Sequence, residues 1–247
     1  MGNNMENHQR TIPWVLALVA VGIALGGWFV GQGFVQGRTA DRFVTVKGVA
    51  ERDVEADIAL WPIQFAATDD QLDQAQARIR DSRQEVLAFL AGHGIEAEAV
   101  QVHRLSVQDL YANAYRSGPV QSRFIIQQTL MVRSTETERI EKASQAIGEL
   151  VDAGVILSSE GPMSNGPTYL FSRLGDHKPA MIAEATANAR RAAEEFAADS
   201  GSRLGKIRRA NQGVFVILAR DRAPGIDEQG QRQKTIRVVT TIEYLLE

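Results

Sequence analysis

Polar and apolar positions alternate along residues 43–65, "FVTVKGVAERDVEADIALWPIQF". Val44 and Val46 alternate with Thr45 and Lys47, and Gly48 marks a bulge or a close approach. The "ERD" at 51–53 reads as a turn. Beyond it Val54, Ala56, Ile58 and Leu60 share one face, with Glu55 and Asp57 on the other. A strand with one dry and one wet face gives this period of two. Pro62 then predicts an edge strand or a bulge.

The period next changes to that of a helix. Thr68–Gln71 fits a capping box, and Leu72, Ala75, Ile79, Val86 and Leu90 form an apolar stripe ended by Gly92 and Gly94. Thr135–Glu138 is a second box, ahead of Ile140, Ala143, Ile147 and Leu150, with Gly154 as the stop. Asp176 opens a third helix, with Pro179 in its first turn. Its face of Ile182, Ala185, Ala189, Ala192 and Phe196 is mostly small, which permits close packing. Strands are expected at 97–109, 122–133, 166–173, 205–219 and 234–247, and polar loops at 111–121 and 220–233. Hairpins grouped beside helices predict an α+β domain: a mainly antiparallel sheet with three helices packed on it.

Composition adds an N-terminal element. No charged side chain occurs from Thr11 to Gly37. As a helix, Ile12–Val35 would be about 36 Å long, more than a hydrocarbon core of about 30 Å. Trp14 and Trp28 lie towards the two ends of this run. The reading is a cytoplasmic N-terminus at 1–11, a transmembrane anchor at 12–35, a linker at 36–42 and the main domain at 43–247. A cleaved signal peptide is the alternative, disfavoured by the length of the run and by a poor cleavage site at Gly31-Gln32-Gly33. Gly22, Gly26, Gly27 and Gly31 are candidates for helix–helix packing in the membrane. Arg10 on one side, against Arg38, Arg42 and Lys47 on the other, leaves the orientation open.

Charge narrows the partners. Lys and Arg total 27 against 30 Asp and Glu, a net charge of -3, so no basic stripe for nucleic acid is expected. With no cysteine the chain has neither disulfide nor thiol nucleophile. His8, His93, His103 and His177 form no metal-type pair, and no Gly-x-Ser-x-Gly elbow or phosphate loop occurs. No catalytic, metal or cofactor site is therefore assigned, and no cofactor is expected. Glu55 and Asp57, two apart on one strand face, could hold a cation or serve as an acid/base pair. A solvated face neutralised by Lys47 and Arg52 is the stronger reading, because half-wet strands produce this pattern routinely. Two polar islands are candidate interaction sites: Tyr111, Asn113 and Tyr115 in "YANAY", and Arg208, Arg209, Asn211 and Gln212 in "RRANQG".

The blocks "VTVKGVAERDVEADIALWPIQF", "KPAMIAEATANARRAAEEFAADSG", "RRANQGVF" and "IRVVTTIEYLLE" resemble the bacterial SIMPL-domain proteins, in the right order over 43–247. The resemblance implies an α+β domain exported to the periplasm or cell envelope, a tendency to homo-oligomerise and a role in envelope maintenance or stress. It places the N-terminus in the cytoplasm and the main domain in the periplasm, on a single-pass inner-membrane anchor. It supplies no catalytic residue. The leading expectation is a non-enzymatic homo-oligomeric scaffold, a ring among its possible forms. A binding module for an envelope ligand or protein is the alternative, followed by a hydrolase using Glu55 and Asp57.

Overall fold

The computed structural model describes residues 19–31, 42–112, 122–158, 166–224 and 227–247. The fold is α+β with two sheets rather than one. β1 (Phe43–Glu55), β9 (Gln233–Leu246) and β7 (Leu204–Gln212) are successive neighbours in the first sheet, where β8 (Val216–Ala219) also pairs β9. In the second the order is β3 (Val100–Asp109), β4 (Phe124–Ser134), β2 (Ile58–Asp69), with the short β5 (Ile156–Leu157) and β6 (Thr168–Leu170) both on the far side of β2. The helices are α1 (19–31), α2 (Leu72–Gly92), α3 (Thr137–Gln145), α4 (Gly148–Asp152) and α5 (Leu174–Asp199).

The expectation of one sheet under three helices, preceded by a transmembrane helix, is corrected on three counts. First, β1 and β2 do not pair. β1 runs through the expected turn to Glu55, and the bend falls at Ala56 and Asp57, whose amides bond the Arg232 and Leu170 carbonyls (2.8 and 3.0 Å). The buried set changes phase after the bend, from Ala56 to Ala59, Trp61, Ile63 and Phe65, so Ile58 and Leu60 do not share the buried face expected for them with Ala56. Secondly, the helix expected after Thr135 breaks at Ala146 and Ile147 into α3 and α4, ahead of Gly148, a weak helix former. Thirdly, no helix among the described residues is long and apolar enough to cross a membrane. The described helical residues 19–31 account for about 20 Å at 1.5 Å per residue. Residues 12–18 and 32–35 of the expected anchor lie outside the described residues.

The chain divides into two compact units. The larger comprises Glu51–Met181 and Val214–Val238. Its spine is the antiparallel pairing of β2 with β4, from Ala59↔Ser134 to Asp69↔Phe124. Trp61, Ile63 and Phe65 of β2 and Ile126, Leu130 and Val132 of β4 share one buried face beneath α2, which contributes Ile79, Val86, Phe89 and Leu90. Trp61 and Phe89 meet edge to face at 6.5 Å. β2 is central rather than an edge. Pro62 is tolerated because it falls opposite the gap between β6, which pairs residues 58–60, and β5, which pairs residues 65 and 66. Gly94 (φ 74°) and Gly154 (φ 85°) turn the chain after α2 and α4, a conformation that disfavours a Cβ.

In the smaller unit (residues up to Ala50, Ile182–Gly213 and Val239–Glu247) α5 lies on β1 and β9. Its buried stripe is Ala185, Ala189, Ala193 and Ala197, a spacing of four, so Phe196 is exposed and not on the packed face expected for it. The small stripe allows a very close approach. A Cβ on Gly48 of β1 would collide with the Ala185 carbonyl oxygen and stand 2.8 Å from the Ala189 Cβ. Asn188 Nδ2 donates to the Val49 carbonyl (2.8 Å) beside this contact. Gly48→Ala should therefore cost at least about 1–3 kcal/mol as an overpacked contact. Gly92→Ala, with no atom within 4 Å of the added Cβ, should be neutral or slightly stabilising. Thermal unfolding of both variants checks this, and equal melting temperatures would contradict the packing.

Candidate functional site

The carboxylates of the 51–57 run are matched one by one. Alternate residues of β1 point to the same side, and each meets a donor on or beside β9. Arg237 Nε lies 3.3 Å from Glu51, Thr235 Oγ1 donates to Asp53 (2.6 Å), and Arg232 pairs with Glu55 through Nη1. Arg232 also reaches Glu141 of α3 through Nε (3.0 Å), so one guanidinium joins two carboxylates. Lys234, fully buried, bonds both the carboxylate and the carbonyl of Glu228. Its charge is compensated on the spot, as a buried ammonium requires.

Asp57 stands beyond the end of β1, not on one strand face with Glu55. Its carboxylate accepts from the Ser172 amide and hydroxyl (both 2.8 Å), and Arg173 Nε stands 3.4 Å away. Burial alone would push Asp57 up. The Ser172 hydroxyl and amide, its own amide and Arg173 outweigh that and hold it below the usual carboxylate value. A general acid needs the opposite shift. Tyr169 behind this region is buried, and burial first, then the Glu141 charge, raise its phenol to about 12 against a lowering bond with Ser144.

A cavity of about 700 Å³ opens beside these groups, lined by Glu55, Asp57, His93, Arg139, Lys142, Arg173 and the 135–138 turn. Its charges are satisfied internally: Arg139 pairs Glu136 (2.6 Å) and donates to the Gly94 carbonyl (2.8 Å), and Lys142 pairs Glu138 (2.7 Å). Among the described residues no group of three or more His, Asp or Glu is placed to hold a metal ion. What the arrangement does chemically is tie β1, α3, β6 and the start of β9 together.

The polar islands fall in different units. Tyr111, in a 3₁₀ turn after β3, donates its amide to Asp109 (2.9 Å), and its ring lies 5.5 Å from the Arg123 guanidinium. Arg123 forks onto the Asp109 carboxylate (2.8–3.2 Å) and covers the Phe124 ring at 4.8 Å. Tyr111 thus braces one end of the β3–β4 pair. Asn113 and Tyr115 lie outside the described residues. Arg208, Arg209, Asn211 and Gln212 are exposed on β7 in the smaller unit, where Arg208 stacks over Phe43 at 4.4 Å and Arg209 is in register with Glu243. A Cβ placed on Gly22, Gly26, Gly27 or Gly31 would have no atom within 4 Å, so nothing among the described residues packs on them.

β3 is a surface the sequence does not announce. Among the described residues it forms the edge of the larger unit's sheet and is bonded only along its inner edge, to β4. The register sets Val102 opposite Leu130, Leu105 opposite Gln128 and Val107 opposite Ile126, so all three lie on the helix-covered face. They are nevertheless 56, 59 and 51% exposed, because the helices pack on β2 and β4 and stop short of β3. Residues 44–244 match the family model described as "SIMPL: Protein of unknown function (DUF541)". The chain belongs to the SIMPL family. No curated protein matches it. The match covers all nine strands apart from single residues or pairs at two ends, so β3 and the paired acidic run are both parts of the SIMPL domain.

Two measurements check the ionic network. Arg232→Ala leaves Glu55 and Glu141 without their shared cation, and should cost about 1–3 kcal/mol in denaturant unfolding. An unchanged midpoint would contradict the bridge. Asp57, lowered from 3.8, stabilises the fold above that value and stops doing so as pH falls through its folded pKa. Ser172→Ala should therefore move acid unfolding to higher pH; coincident acid transitions for variant and parent would show that Ser172 does not hold Asp57.

Proposed function

We propose that this SIMPL domain is a non-enzymatic, self-associating module of the cell envelope. The observation that carries the reading is the uncovered apolar strip of Val102, Leu105 and Val107 on an open strand edge. An edge strand offers unpaired amides and carbonyls along its length, and proteins that remain monomeric blunt such edges with charge, proline or cover. From Leu105 to Gln108, β3 has none of the first two, and none of the described helices covers it. The pairing of Glu51, Asp53, Glu55 and Asp57 favours assembly over a carboxylate-dependent hydrolase, since a reacting carboxylate must be available to its substrate. The uncharged run from Thr11 to Gly37 and the family resemblance support a place in the envelope.

The test is the mass of the whole chain in mild detergent by light scattering and native mass spectrometry. A discrete multimer is expected, and Val107→Lys should shift it towards monomer by placing a charge on the strip. A monomer across the accessible concentration range would overturn self-association.

A further inference from the structure

The open edge of β3 is complementary to itself. After the bulge between Val102 and Arg104, residues 104–109 pair with β4 without a further register shift. We infer that this edge pairs antiparallel with β3 of a second copy across a two-fold axis at Ser106, joining two five-stranded sheets into one of ten strands. The inference rests on the self-association proposed above and adds its surface and register.

Side-chain matching selects the register. A two-fold axis perpendicular to the sheet keeps both helix-covered faces on the same side and places each residue opposite its mirror position about the axis. With the axis at Ser106, Leu105 meets the partner's Val107, and Val107 meets the partner's Leu105. Four apolar side chains then form a band continuous with Ile126 on each copy. On the opposite face Arg104, the only charged residue from 104 to 108, meets the partner's Gln108. Neighbouring registers are worse. An axis at Leu105 sets Val107 against the bulged His103, and one at Val107 sets Leu105 against Asp109. An axis at Arg104 brings two guanidinium groups together, and like charges directly opposite are destabilising. The seam is short, so association should depend on concentration.

The absence of cysteine makes the test direct. Directly opposed residues in an antiparallel pair have Cα atoms roughly 4.5–5.5 Å apart, within disulfide reach. Ser106→Cys in the whole chain should therefore oxidise to a covalent dimer with its own copy. Gln108→Cys should not, because its counterpart is displaced about 14 Å along the seam. Gln108→Cys mixed with Arg104→Cys should cross-link as a pair. All three variants replace exposed residues, and circular dichroism confirms that each is folded. A multimer that gives no Ser106 cross-link would overturn the β3 seam while leaving self-association standing. A monomer without cross-links would overturn both, and would leave the edge to a strand from a different protein. Equal cross-linking of Ser106→Cys and Gln108→Cys would mean random collision, and would also overturn the seam.

Discussion

Hydrogen bonding at strand edges is the constraint on which the rest of this structure depends. Every strand has two edges, and each amide and carbonyl left dry must find a partner. The chain meets the demand with split strands. β5 and β6 together edge β2, and β7 and β8 together edge β9. The break between β7 and β8 falls at Gly213, where a Cβ would stand 2.7 Å from the Val239 carbonyl oxygen that accepts the Gly213 amide. Split edges let long central strands keep their pairing while the outer chain bends. β3 is the exception, since its outer edge has neither a split partner nor a helical cover among the described residues.

The acidic run shows the same economy in side chains. Three carboxylates at alternate positions of β1 would repel one another on a bare face. Arg237, Thr235 and Arg232 lie against them in matching order, and Arg232 carries the connection on to α3. The open cavity nearby is polar, yet its cations and anions are already committed to each other. Within the larger unit the Arg232 pairs link the end of β1 to α3.

Much of this is legible in the sequence. The alternation in 122–133 and 234–247 marks two long strands, and the stripe from Ala75 to Leu90 marks α2, because burial on one face leaves a periodic trace. Gly48 is readable as a close approach, and the helix that meets it as small-faced. The division into two sheets is not readable, since the continuous apolar run from Ile58 to Ile63 hides the change of buried face that follows the bend at Ala56 and Asp57. The α5 stripe is off by one position in its later turns because alanine occupies most candidate sites, and hydropathy hardly separates Ala192 from Ala193. Glu55 and Asp57 are neutralised as expected, but by Arg232 and Arg173 rather than by Lys47 and Arg52; partners far apart in sequence leave no local signal. Val102, Leu105 and Val107 fall in the strand expected at 97–109, and nothing in the sequence marks their face as bare. Only the packing of the helices on β2 and β4 shows that no described helix covers that face.

The central claim is that the outer edge of β3 is satisfied by a second copy, and amide hydrogen exchange tests it most directly. Exchange of residues 104–108 should be followed over a concentration series spanning monomer to multimer. The outward-facing amides of β3 are expected to become protected as concentration rises, while amides in the β2–β4 core stay protected throughout. Fast exchange at those outward positions, unchanged in a multimer, would contradict the claim.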